Sequence, residues 1–217
     1  MVFFVAFLTL TTIILPAVKL SQFGRLAVSL MFALTLIFGA YTTIRHRTVI
    51  YVVMALTVST FVVGAIAQIH SSRALASLDM ALKLACLSAL LSVTLEGTLR
   101  PGKVTVYRVV GGIAGYLLIG LVWTYAYQLL EDRIPGAIHC GAGDAAAISR
   151  QQSDFIYFSF VTLTTVGYGD VQPVHPAARS LAVAEALVGQ LYLAILIGSL
   201  VGMALQARAN QDPAEEP

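Results

Sequence analysis

The chain has 217 residues, 58% hydrophobic and only 11% charged, with a mean hydropathy of +0.84. A soluble domain carries about 25% charged residues, so this composition excludes an ordinary soluble domain and points to an integral membrane protein. The net charge of +2 is too small and scattered for nucleic acid, and Cys86 and Cys140, one in an apolar and one in a polar segment, make neither a disulfide framework nor a metal site.

A helix needs roughly 20 apolar residues to cross about 30 Å of hydrocarbon. Runs of that character predict six spans, at about 2–18, 26–44, 48–69, 74–95, 109–130 and 180–207. The opening MVFFVAFLTL has no basic leader and no small-residue cleavage signature, so a retained span is expected there, ended by Pro16. In the fourth run, RALASLDMALKLACLSALL, Asp79 precedes Lys83 by four residues, a favourable order for a helical ion pair. The closing RANQDPAEEP is polar and is expected to be disordered.

One segment remains. Residues 131–152 are polar and loop-like, whereas 153–164, SDFIYFSFVTLT, are apolar and aromatic but too short to cross. Ser153 suits a helix cap and Asp154 a first turn. The half-length helix is followed by TLTTVGYGD, whose two glycines are poor helix residues. Half a helix, glycines and then a full span predict a re-entrant loop. Non-helical backbone at membrane depth persists only where protein buries it or where it lines a water-filled path.

Thr165, Val166, Gly167, Tyr168 and Gly169, extended by Asp170, match the TVGYG selectivity filter of tetrameric potassium channels. Over residues 107–207 the chain resembles the outer helix–pore helix–filter–inner helix module of that family. The resemblance implies an all-α membrane protein with six transmembrane helices, a re-entrant pore helix and a filter loop, assembled as a four-fold symmetric homotetramer. Backbone oxygens of Thr165, Val166, Gly167 and Tyr168, with the Thr165 hydroxyl, would replace the hydration shell of K+. Potassium in the filter is then the only bound species expected, with no other cofactor. Residues 1–106 would form a four-helix scaffold or degenerate sensor, and 208–217 a cytosolic tail.

Around the filter, Asp170 has two compatible readings: a ring of carboxylates at the outer mouth, and a brace bonded to Tyr157 or a neighbouring amide. Thr164, Tyr157 and Glu185 are candidate filter supports. Relatives with a glutamate in the pore helix have it where this chain has Val161. Gly189 aligns with the family's inner-helix hinge glycine. Close packing is its other reading, because Gly198 and Gly202 extend a small-residue face along the same helix. Gln190 would face the central cavity or bond between helices. Glu185, a carboxyl within a span, is expected to hydrogen-bond or ion-pair behind the filter, direct ion contact being the alternative.

Six spans also invite comparison with voltage-gated channels, but the fourth lacks an arginine at every third position. A paired Lys83 leaves no mobile charge, so steep voltage gating is not expected. The filter direction implies a plasma-membrane protein with both termini cytosolic and 131–152 and 171–178 outside. Basic residues divide evenly between the two sides and give no support. No soluble regulatory module fits, leaving lipids, pH or ions as regulators, with His46, His139 and His175 as titratable loop residues. Cys140 is a candidate for an inter-subunit bridge. A potassium-transporter subunit and an electrically silent channel subunit are the alternatives. No Ser-His, HExxH or paired-aspartate arrangement suggests an enzyme.

Overall fold

A computed structural model describes residues 47–69, 72–99, 105–140 and 152–209. The first two expected spans, His46, the loop tip at 141–151 and the polar tail lie outside the described residues, as does the Cys140 side chain. The described residues form five helices and two short strands, in order α1 (Arg47–Ile69), α2 (Arg73–Leu99), α3 (Val106–Arg133), β1 (Ile138–Cys140), α4 (Gln152–Leu163), β2 (Val171–Pro173) and α5 (Pro176–Ala209). Among the described residues, 73–98, 108–133 and 176–206 are long and apolar enough to cross a membrane, and α1 holds a shorter apolar stretch, 54–67. The protein is therefore a membrane protein, and α4, with 12 residues, is too short to span.

The helices form an antiparallel series, α1 on α2 and α2 most extensively on α3. Cys86, Leu87 and Leu90 of α2 meet Ala114, Leu118, Leu121 and Tyr125 of α3 in one buried cluster. Lys83 Nζ donates to Asp79 Oδ2 at 2.6 Å, the expected pair, and lies 5.9 Å from the Tyr125 ring centroid. Arg73 links the start of α2 to Asp132 near the end of α3, with Nε donating to Oδ1 at 3.3 Å.

On its other side α3 receives α4 and α5. Small residues make this possible. A Cβ on Gly112 would stand 2.7 Å from Leu196 Cδ2, and one on Gly120 would stand 2.6 Å from the Phe160 ring. Glycine here admits α5 and α4 close to the α3 backbone, and the Tyr192 hydroxyl donates to the Gly112 carbonyl at 2.7 Å.

The all-α expectation requires one amendment. Segment 138–140, inside the stretch read as loop, pairs antiparallel with 171–173, with His139 opposite Gln172. The cause lies in Glu131, whose carboxylate accepts the Gly136 and Ile138 amides at 2.6 and 3.1 Å and folds the chain back after α3. Gly136 turns at φ +88°. Ala137 and Ile138 are buried with Tyr127, Phe155 and Phe158 in a second cluster, so the pair is anchored beneath.

Candidate functional site

The aromatic face of α4 fixes the site. Phe155, Ile156, Phe158 and Leu163 are buried, and α4 packs between α3 and α5. The helix begins at Gln152, so Ser153 lies within the first turn and not at the cap; its hydroxyl is 3.4 Å from Asp154 Oδ1. The Gln152 amide instead donates to the Tyr125 hydroxyl at 3.0 Å.

At its other end α4 unwinds in steps. Thr164 N and Oγ1 both donate to the Phe160 carbonyl, at 3.0 and 2.6 Å. Thr165 N donates to Thr162 O at 2.9 Å, while Val166 N and Gly167 N share Val161 O at 3.0 and 3.3 Å. Val161, where some relatives carry an acid, thus contributes its backbone oxygen.

Beyond that turn, backbone handedness alternates. Thr165, Gly167 and Gly169 have φ of +58°, +58° and +82°, whereas Val166 and Tyr168 are absent from the left-handed region. Alternating hand brings successive peptide groups into line, N–H toward one side and C=O toward the other. An ordinary strand would alternate them. The left-handed threonine was not foreseen; nothing in its residue type announces it, and such a residue costs about 1–3 kcal/mol and persists only where its surroundings impose it.

The outer end is tied down on two sides. The Tyr157 hydroxyl donates to Asp170 Oδ2 at 2.7 Å, and the Tyr157 and Tyr168 rings stack with centroids 6.4 Å apart. Gln172 Nε2 donates to the Gly169 carbonyl at 2.6 Å. The Tyr157 hydroxyl is pushed up to about 12, first by its bond to Asp170, so it stays a donor at neutral pH. Of the two readings of Asp170, the brace has its geometry here.

Behind the loop, Glu185 of α5 is fully buried. Its Oε2 accepts the Tyr127 hydroxyl of α3 at 2.6 Å, and its Oε1 lies 2.5 Å from Ser159 Oγ of α4. Ser159 Oγ also donates to the Gly120 carbonyl at 2.7 Å. This is hydrogen bonding, with no ion pair to Glu185 among the described residues. The residues missed from sequence are therefore Tyr127, Ser159 and Gly120. Ser159 had a signal: it is the small hydroxyl within the aromatic run FIYFSF.

Gly189 is buried against the end of α4, where an added Cβ would stand 2.6 Å from the Leu163 carbonyl oxygen. Tyr116 donates to that same oxygen at 3.3 Å. The close-packing reading has its geometry at Gly189 itself, whereas Gly198 and Gly202 face open space in the single chain. Gln190 is exposed there, as are Val166 and Tyr168 at 51% and 71%.

Comparison with known proteins falls on this same part of the chain. Residues 116–206 match the family described as Ion channel. The chain is 38% identical over 97 residues to Two-pore potassium channel 1 of Arabidopsis thaliana, covering 45% of this chain and 22% of that protein. It is 42% identical over 50 residues to the Voltage-gated potassium channel of Aeropyrum pernix, covering 23% and 17%. Over 85 residues it is 35% identical to Protein LctB of Bacillus caldotenax, covering 38% and 61%. The chain thus spans about a fifth of the length of the plant relative. No solved structure matches it.

Proposed function

We propose that the protein is a potassium-selective channel that conducts K+ passively through a pore of four identical chains. The observation that carries this is the alternating backbone of Thr165–Gly169, at the carbonyl end of a half-length helix. Aligned carbonyls offer a dehydrated cation the oxygens it gives up. The negative end of the α4 dipole favours a cation beside it. One strand cannot surround an ion, and Val166 and Tyr168 project from the protomer uncovered. Four copies about an axis complete the cage and give these side chains neighbours. Non-helical backbone would then be buried by protein on one side and line the ion path on the other.

In this assembly Asp170, Tyr157 and Thr164 hold the filter, Gln190 faces the cavity, and Gly189 seats α5 against α4. Bending at Gly189 is a second role, open to test by substitution. On this reading, with six spans and a filter running from cytosol to exterior, both termini would lie in the cytosol of a plasma-membrane protein and the filter mouth outside. The Asp79–Lys83 pair leaves α2 without net mobile charge, which favours a channel lacking steep voltage gating. A transporter subunit or a silent subunit needing a partner remains the competing reading.

The test is reconstitution of the purified chain alone in liposomes loaded with potassium. Efflux down the gradient without ATP, by material with the mass of a tetramer, is expected. Flux that needs ATP or a second polypeptide would favour the alternatives.

A further inference from the structure

We infer that Glu185 is carried as a neutral carboxylic acid, its proton forming the link between α5 and α4 behind the filter. This deepens the channel reading and rests on it only for the functional consequence. The argument is a count of hydrogens. Ser159 Oγ has one hydrogen but two oxygen neighbours at hydrogen-bond distance, Gly120 O at 2.7 Å and Glu185 Oε1 at 2.5 Å. A backbone carbonyl has no hydrogen to give. Ser159 therefore donates to Gly120 O, and the hydrogen on the shorter contact comes from Glu185 Oε1. Tyr127 meanwhile donates to Oε2 at 2.6 Å. Every polar atom of the group is then satisfied, in a chain running Tyr127 to Glu185 to Ser159 to Gly120.

An ionised carboxylate breaks this count. Ser159 would turn its hydrogen to Glu185 and face the Gly120 carbonyl oxygen-to-oxygen at 2.7 Å with nothing between. No cation among the described residues compensates. From α3 the titratable groups near Glu185 are Tyr127 and Tyr116, both neutral phenols, and from α4 the facing group is Ser159. No described lysine or arginine pairs with it. A buried charge without a partner is strongly unfavourable, whereas a buried acid that gives and accepts hydrogen bonds is not. Because α4 leads directly into Thr165, this proton joins the inner helix to the base of the filter.

The test is infrared difference spectroscopy of the full-length protein in lipid at neutral pH, wild type minus Glu185→Gln. The expected result is a carbonyl band of a protonated carboxylic acid that shifts on ¹³C-glutamate labelling and vanishes in the variant. Ser159→Ala provides the second arm and is expected to move the band by removing its acceptor. Glu185→Gln, which keeps a donor and an acceptor, is expected to leave the melting temperature unchanged. Glu185→Leu, which keeps neither, is expected to lower the melting temperature. Only a labelled carboxylate signal assigned to position 185, with no acid band in wild type, overturns the proposal. The band is read independently of conduction. A conducting protein without it sinks this inference alone, and a non-conducting protein with it sinks only the channel reading.

Discussion

At position 167 a methyl group would fit in space but not in conformation. An added Cβ meets nothing within 4 Å, yet φ is +58°. Alanine there costs about 1–3 kcal/mol in each chain or forces the peptide to turn over. Gly167→Ala is therefore expected to abolish the preference for potassium over sodium. Gly136 supplies the control, with φ +88° and open space at a site outside the loop. Gly136→Ala is expected to lower thermal stability by a similar amount and leave ion selectivity unchanged. Equal loss of selectivity in both would show that strain anywhere suffices. Gly189 differs in kind, because its Cβ would press on a carbonyl oxygen. Overpacking of this sort costs about 1–3 kcal/mol, and Gly189→Ala is expected to destabilise the assembly. A variant of unchanged stability with altered gating kinetics would make Gly189 a hinge instead.

Each element around the loop holds it by a different contact, and these differ in how far the sequence announces them. The Tyr157–Asp170 bond joins the middle of α4 to the outer end of the loop. A hydrogen bond to a carboxylate is strongest when shielded from water and counts for less where, as here, the single chain leaves it exposed. Tyr157→Phe is expected to keep selectivity but shorten the time for which current is sustained. The phenol's raised value gives the sign with pH. Its bond is complete below the ordinary tyrosine range near 10 and is lost as pH rises through about 12, so sustained current is expected to fall only in strong alkali. The half-length of α4 and the glycines after it were legible in the sequence because both are local properties. Ser153 misled, since capping preference marks a region and the first turn extends one residue earlier. The β1–β2 pair was not legible, because it depends on Glu131 reaching two amides five and seven residues on. Similarly, Glu185 stood out as a carboxyl in a span, but its partners come from two other helices.

For the whole molecule, the apolar surface left on the single chain is the dominant fact. Val183, Leu187, Leu191, Ile195 and Val201 of α5 are exposed together with Val166 and Tyr168. Lipid can cover the helix face but not the loop, whose backbone polar groups need protein or water. The last three expected spans followed from hydropathy alone, whereas the expected span at 48–69 corresponds to a helix whose apolar stretch, 54–67, is shorter. How they pack depends on glycines such as Gly112 and Gly120, whose purpose shows only when a partner helix is against them. The Asp79–Lys83 bond also has a consequence at this scale. Lys83→Gln is expected to leave the voltage dependence of opening flat, within the scatter of wild type. A steep dependence in wild type that the substitution removes would assign α2 the role of a sensor.

Beneath all of this lies one requirement: oxygen atoms borrowed from peptide bonds must suit potassium and reject its smaller neighbour. The decisive measurement is the reversal potential of the purified protein in a planar bilayer with potassium on one side and sodium on the other. Current should reverse far from zero, on the side set by the potassium gradient, and close to zero in Gly167→Ala. Reversal at zero in the unaltered protein, with ample current through it, would contradict the account.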